Sequence, residues 1–468
     1  MSSTSFLRKM SLHKFRKSIS SPKLDKLDIP ESNEKATIDS AELVADTVVA
    51  PLSPPPETQT VLLLQAAKQP YELADNYPVP QPQDAHEVLV RTQAIGLNPI
   101  DWKAPDFNFA IPTLPYISGR ECSGTVLSPS PSPSSRLQPN DRVLVISTDY
   151  RDLRKAAYQE YVIAPDFNTV RLPPALSFEE GSTLGVAFVA AALSLGICAG
   201  LDFSGVLNGP DLFSLVRSIS PELLAADIRD ECLEAILPHE RAQRGDWLAV
   251  WGGSSTSANL TIQLAKLCGM KTVAVVDKAK HGLRLANHKA IRTDLLVDSH
   301  DPARAVEIIR GNLKGKLRFG VDTRGRESAT SLLQALSPGN LATTKTTTEK
   351  TGVEVAETGE SETADLPPSP PATPSDKGLL GAHLIGLTGL PKQTPPEGTL
   401  FHTVPIKLFH EVPAIGEALC AWLERLLAAG LVQPPEIIDI EEGLGSINKG
   451  LDRMRKGEIS GGKLVVRV

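Results

Sequence analysis

The sequence predicts an α/β protein in two parts, a β-rich section of short strands followed by a doubly wound parallel sheet. Two observations carry this expectation. From Thr58 to about Pro174, short apolar or alternating runs ("TVLLLQA", "EVLVRTQAIGL", "CSGTVL", "DRVLVIS", "YQEYVIA") are separated by Pro, Asn, Asp and Gly, as in a small barrel or sandwich. After the apolar, helix-like run "LSFEEGSTLGVAFVAAALSLGI" the pattern changes to alternating strands and helices: "WLAVWG" and a helix, "KTVAVVD" and a helix, then "DLLVD", "AVEIIRGNL", "LRFGVDT", "SATSLLQAL" and "AHLIGLTG". Alternation at that length is the signature of a parallel sheet with helices on both faces. The 468 residues leave room for more than one core.

The composition narrows the class. A formal charge of −7 and a pI near 5.8 argue against a general nucleic-acid binder. No membrane span is expected, since no uninterrupted apolar run reaches eighteen residues. The five cysteines, at 122, 198, 232, 268 and 420, stand singly without a C-x-x-C pair. That pattern points to free thiols in a reducing compartment, with neither a disulfide framework nor a structural zinc site. A cytoplasmic location is expected. Residues 1–57 offer an alternative: Arg8, Lys9, Lys14, Arg16 and Lys17 precede the first acid, Asp25, amid scattered apolar residues. They read either as a disordered basic and Pro-rich tail or as a mitochondrial presequence.

Two insertions interrupt the second part. Residues 343–377 are low-complexity, nearly free of large apolar side chains, and are expected to be a disordered surface loop. Residues 205–245 instead hold two amphipathic segments, "DLFSLVRSI" and "SPELLAADIRDECLEAIL". In the second, Ser220 is the expected N-cap, Pro221 the first helical residue, and Leu224, Ile228, Cys232 and Ile236 share a packing face. The expected division is therefore a tail (1–57), a β domain (58–180), a doubly wound domain (181–400) and a C-terminal return to the β domain (401–468).

The chemistry concentrates in "WLAVWGGSSTSANLTIQLAKLCG" (247–269), which reads as strand, tight turn and helix. A dinucleotide turn presents helix N-terminal N–H groups to a pyrophosphate, with glycines spaced G-x-G-x-x-G. On that spacing Gly253 keeps the tight turn. Ser255 stands at the close approach, where its hydroxyl would replace that approach with a hydrogen bond to phosphate, and Ala258 stands where helix packs on strand. Nineteen residues beyond Ala258 comes Asp277, at the end of the next strand, where an acidic ribose ligand is expected. Gly252, Gly253, Ser254, Ser255, Thr256, Ser257, Asp277 and Lys278 are the candidate cofactor-binding residues. Asp277 favours NADH; Lys278, Lys280 and His281, which follow at once, would suit the extra phosphate of NADPH. The preference stays open.

With its flanks, the chain resembles the medium-chain dehydrogenase/reductase superfamily, in the zinc-independent quinone oxidoreductase and enoyl reductase branch that includes fungal trans-acting enoyl reductases. The pieces that carry the resemblance are "GLNPIDWKA" (96–104), "GRECSGTV" (119–126), "NDRV" (140–143), "YQEYVIAP" (158–165), "WGGSSTSANLTIQLAK" (251–266) and the closing "GGKLVV" strand. The resemblance implies a GroES-like β-barrel domain, a Rossmann domain with a cleft between them, and a homodimer through Rossmann edge strands. Zinc-dependent relatives use a cysteine in the first piece and a histidine in a G-H-E motif. Here the first piece has no cysteine and Arg120 replaces the histidine, and a guanidinium cannot ligate zinc. No zinc is expected, and Cys122 is read as a small packing residue.

The branch implies hydride transfer from NADPH or NADH to an activated alkene, an enoyl thioester or a quinone as small-molecule substrate. Without metal, hydrogen bonds or cations must stabilise the developing enolate. Candidate catalytic residues are Asn98, Asp101 and Lys103; an Asn-Pro turn with Asp101 as its cap is the structural alternative. Arg120 and Glu121 have an alternative as an ion pair. Two departures delete hydroxyls that relatives use: Phe109 stands near a tyrosine position, and Gly185 and Ala190 stand in a helix that often carries a threonine. A catalytically silent reductase fold, serving as a binding or regulatory protein, is the alternative reading.

Overall fold

The computed structural model describes residues 54–128, 132, 135–340 and 379–468. The expected insert at 343–377 and residues 1–53 of the expected tail lie outside the described residues. Six strands, β1 (Trp247–Trp251), β2 (Lys271–Val276), β3 (Leu295–Asp298), β4 (Leu317–Asp322), β5 (Ala382–Gly386) and β6 (Thr399–Thr403), form one sheet in the order 3-2-1-4-5-6. Every pair in it is parallel. A parallel sheet is covered on both faces, and the alternation of side chains assigns each residue to one of two cores. Leu248, Val250, Ala274 and Val276 pack on one side, Ala249, Trp251, Val273 and Val275 on the other. The strand order reverses between β1 and β4, and such a switch point opens a crevice at the carboxyl ends of the strands.

The β-rich section forms a seven-stranded sheet and a smaller three-stranded one, largely antiparallel. The strand Lys463–Arg467 pairs antiparallel with Glu87–Gly96, placing Val465 opposite Gly96. The C-terminus thus returns to the first section, as the closing "GGKLVV" implies. The sixth strand of the parallel sheet runs to Thr403, slightly past the expected boundary at 400. Helix α1 (Pro99–Phe107) follows the strand Glu87–Gly96. Helix α2 (Gly185–Leu193) leads away from the β section and continues as a π-helical turn, Ser194–Cys198.

Phe178–Cys198 is, by length and a mean hydropathy of 1.8, apolar enough to cross a bilayer, although no uninterrupted apolar run within it reaches eighteen residues. In this fold 89% of that window is buried, because the run lies inside the core and its neighbours supply the apolar surroundings. The second amphipathic segment is not one helix from Ser220. Pro221–Leu223 makes a short 3₁₀ turn, Leu224 is extended, and helix α3 covers Ala226–Leu233. The Ser220 hydroxyl bonds Glu222 instead of capping. Burial decides the break: Leu224 is 1% exposed, and the extended step at Leu224 lets its side chain reach the core beside Cys232 and Ile236.

The helical insertion is anchored from the C-terminal side. On the helix Pro413–Ala428, Trp422 stacks on Phe203 at 4.5 Å between ring centroids and tilts against Phe188 at 5.6 Å. Its indole N–H donates to the carbonyl of Val206 at 3.0 Å, so the one polar atom of a fully buried side chain is satisfied.

Candidate functional site

A cleft of about 430 Å³ with convergent polar groups opens at the β1/β4 switch point. The exit turn of β1 forms one wall. Gly252 has φ +77°, and a Cβ there would fall 2.4 Å from Thr323 Oγ1. At Gly253 a Cβ would fall 2.8 Å from the Ala274 methyl on β2. The first glycine is fixed by handedness and crowding, the second by the neighbouring strand. Helix α4 (Thr256–Leu267) starts immediately after, with Ser255 as N-cap. The amides of Ser254, Thr256 and Ser257 have no protein acceptor among the described residues, and Ser254, Ser255 and Thr256 line the cleft. Three free N–H groups at the positive end of a helix form a cradle for an anion.

The Ser255 hydroxyl is committed elsewhere, which corrects the expectation that it reaches a phosphate. It accepts from the Ala258 amide at 3.1 Å and donates to Thr323 Oγ1 at 3.0 Å. Its task is to cap α4 and tie the turn to the end of β4. Ala258 is fully buried, in keeping with helix packing on strand.

At the end of β2, Asp277 lines the cleft and caps helix α5 (Lys278–Asn287), with Oδ1 accepting from the Lys280 amide at 3.0 Å. Its other oxygen lies 3.6 Å from His300 Nε2, and His300 also meets Asp298 at 3.1 Å. The Lys278 side chain is not among the groups lining the cleft, and its amide donates to Asp298 at 3.0 Å. Lys280 and His281 do line it. His281 Nε2 contacts Ser460 Oγ at 3.0 Å, and burial together with Arg284 and Lys280 moves its pKa below the usual imidazole range. Arg324, overlooked by sequence reasoning, lines the same cleft with no ion pair among the described residues.

The β section contributes a buried polar network on the opposite wall. Asn98 is 6% exposed; its amide donates to Glu121 Oε1 at 2.9 Å and to the Gly96 carbonyl at 3.1 Å. Lys463 donates to Asn98 Oδ1 at 2.8 Å and pairs closely with Glu121, and Lys463 lines the cleft. Glu121 also accepts from the Val186 amide at 2.9 Å. The partner of Glu121 is therefore Lys463, whereas the Arg120 guanidinium lies over the Tyr150 ring at 5.7 Å. This network explains the missing hydroxyl at Gly185: a Cβ there would meet Ile146 at 2.7 Å and Glu121 Oε2 at 3.0 Å. The buried carboxylate takes that space.

None of the three catalytic candidates lines the cleft: Asn98 reaches it through Lys463, and the other two lie away from it. Asp101 is fully buried at the start of α1, where Oδ2 accepts from the Asn98 amide at 2.8 Å. Burial pushes its carboxyl up to about 6, against the opposing pull of the Asn98 backbone amide, Arg120 and the Tyr158 hydroxyl. Lys103 is half-buried beside Trp102, its Nζ 5.7 Å from the ring. Phe109 is 44% exposed. Cys122 is 1% exposed in the β-section core, where burial pushes its thiol up to about 12. Lys463 was missed as a site residue although its strand was read, because only the fold carries position 463 to position 98.

The comparisons agree with this architecture. The alcohol dehydrogenase GroES-like domain family matches residues 84–174. Trans-enoyl reductase buaC of Petromyces alliaceus is 24% identical over 414 residues, covering 88% of this chain and 97% of its own. A trans-enoyl reductase of Gibberella fujikuroi is 26% identical over 390 residues, 81% of this chain and 90% of its own. Among solved structures, an alcohol dehydrogenase superfamily protein from Novosphingobium aromaticivorans shares the fold at TM-score 0.60 and 16% identity, covering 88% of this chain and all of its own. The CurK enoyl reductase does so at TM-score 0.57 and 14% identity, with 87% and 99% covered. The GroES-like domain of this chain, its likeness to trans-enoyl reductases over most of their length and its fold support the medium-chain dehydrogenase/reductase superfamily, in the enoyl reductase-like branch, and an oxidoreductase of that type.

Proposed function

We propose that the protein is a zinc-independent NAD(P)H reductase of an activated alkene, enoyl thioester or quinone, with NADH the preferred dinucleotide. The observation that carries the reading is the cradle at the switch point: the free amides of Ser254, Thr256 and Ser257 above the crowded Gly252. A phosphate fits there and a side chain at residue 252 does not. Bound in the cleft, a nicotinamide dinucleotide supplies the hydride. Asp277 accepts the hydroxyls of the adenosine ribose, and Asp298 beside it adds a second carboxylate that disfavours a 2′-phosphate. Arg324 and Lys280 offset the pyrophosphate charge. On the opposite wall Lys463, oriented by Asn98 and Glu121, holds a positive charge where an enolate oxygen develops. Asn98 and Glu121 are positioning residues; Asp101 and Lys103 have no part in this chemistry.

The wider proposal has a small-molecule substrate, a cytoplasmic location, no nucleic-acid partner, and a homodimer through the open edge of β6. Parallel fluorescence titrations with NADH and NADPH, followed by turnover with an enone, a quinone and an enoyl thioester, test the reading. Micromolar NADH binding with turnover is the expected result. Failure of a folded preparation to bind either dinucleotide would overturn it and leave the silent-fold reading.

A further inference from the structure

Away from the cleft, Cys198, Glu231 and His402 converge although 204 positions separate the first from the last. Cys198 closes the π-helical turn Ser194–Cys198, Glu231 stands on α3 in the 205–245 insertion, and His402 stands on β6. One donor atom from each lies within 4.8 Å of the other two. None of the three lines the cofactor cleft. Cys198 and His402 are fully buried, while the Glu231 side chain keeps 15% of its surface and provides the approach from solvent.

Three features favour an ion at this point. Glu231 has no Lys or Arg ion pair among the described residues; its recorded ionic partner is the His402 imidazole, at 2.8 Å. It also accepts from the Thr403 amide at 3.4 Å, and no Lys or Arg among the described residues supplies the cation that burying a carboxylate ordinarily calls for. The second ring nitrogen of His402 is held by His383 Nδ1 at 3.0 Å, and His383 is stacked on Phe319 at 5.2 Å. Outer groups that hold the free nitrogen of a ligating histidine are a recurring part of metal sites. The π-helical turn that ends on Cys198 is a rare conformation concentrated at functional positions.

We propose that Cys198, Glu231 and His402 form a structural zinc(II) site that ties the 205–245 insertion to the last strand of the parallel sheet. A thiolate, an imidazole and a carboxylate suit zinc better than calcium or magnesium, which take oxygen ligands. Metal–donor lengths of about 2.0–2.3 Å place tetrahedral donors roughly 3.5 Å apart. The three donors now stand from 2.8 Å to at most 4.8 Å apart, and side-chain rotation is what brings them to that value. The ion replaces the His402–Glu231 hydrogen bond, and water takes the fourth position. This site is separate from the hydride-transfer chemistry and does not depend on it. The ligands come from three distant segments, so no C-x-x-C spacing announces them.

The test uses the full chain, stripped with a chelator and titrated first with cobalt(II), then with zinc in competition with a chromophoric chelator. Expected are saturation at one equivalent, a near-ultraviolet thiolate-to-cobalt charge-transfer band displaced by zinc, and a higher thermal midpoint with zinc bound. Cys198→Ser abolishes the band, while Cys268→Ser, at a partly exposed cysteine elsewhere, keeps it. The wild-type spectrum stands even where Cys198→Ser folds poorly. No saturable equivalent and no charge-transfer band in the wild-type protein would overturn the site, leaving a hydrogen-bonded Glu–His–His chain. A band that persists in folded Cys198→Ser would overturn it as well.

Discussion

The two walls of the cleft are built on opposite principles. The wall on the parallel-sheet side is mostly backbone: a left-handed glycine, a capped helix start and amides free among the described residues, all within Gly252–Ser257. The β-section wall is made of side chains, with Asn98, Glu121 and Lys463 meeting from three separate segments around a buried charge pair. A backbone site tolerates Ser for Gly at position 255, because a cap can use the hydroxyl. A buried charge network tolerates little, because each member leaves a partner unsatisfied when it goes.

Breaking that second wall is expected to have the largest effect. Lys463→Met leaves Glu121 buried without its cation, and such losses run to about 3–5 kcal/mol. Denaturant unfolding of Lys463→Met and of Lys463→Met/Glu121→Gln checks this. The double variant is expected to recover part of the loss, and a single-variant cost under about 1 kcal/mol would show the network to be dispensable.

Next comes the backbone wall. Gly252→Ala places a methyl against Thr323 in a left-handed conformation, so NADH binding is expected to weaken by about 100-fold, some 2.7 kcal/mol. Fluorescence titration measures it, and unchanged affinity would mean that the turn does not hold the pyrophosphate.

Asp101 sharpens the contrast by pH. Its folded-state pKa is raised from 3.8 to about 6, so the folded state binds the proton more tightly than the unfolded chain. Stability contributed by that proton is full below about pH 4 and is lost as pH rises through about 6. Asp101→Asn lacks this slope and is expected to gain on the wild type by about 3 kcal/mol between pH 4 and pH 7. Unfolding series at four pH values compare the two; parallel curves would place Asp101 in a better-solvated setting.

The smallest effect is one of selectivity. Asp277→Ser removes the carboxylate proposed to accept the ribose hydroxyls, and the NADH-to-NADPH affinity ratio is expected to fall by about tenfold, close to 1.4 kcal/mol. An unchanged ratio would hand the selection to Lys280 and Arg324.

Much of this was legible in the sequence where cause and effect are close in the chain. The alternation of strands and helices, the Gly252–Gly253 turn, Asp277 at the end of β2 and the "GGKLVV" return all depend on local patterns of a few residues. The misreadings share a different property. Ser220 has the chemistry of an N-cap, yet Leu224 is drawn into the core and the helix begins at Ala226. Lys278 sits next to Asp277 in sequence, but the turn of α5 brings Lys280 to the cleft instead.

By itself, then, the sequence determined the α/β class, the position of the Gly252–Gly253 turn and the arginine at position 120 where zinc-dependent relatives carry a histidine. Those follow from periodicity, turn chemistry and the donor atoms each residue carries. Tertiary structure alone decided that Glu121 pairs with Lys463, that Gly185 must stay without a side chain, that the Ser255 hydroxyl is committed to a cap, and that Cys198, Glu231 and His402 meet. Such outcomes depend on which distant strands lie side by side, and burial then makes each pairing too costly to leave unmade.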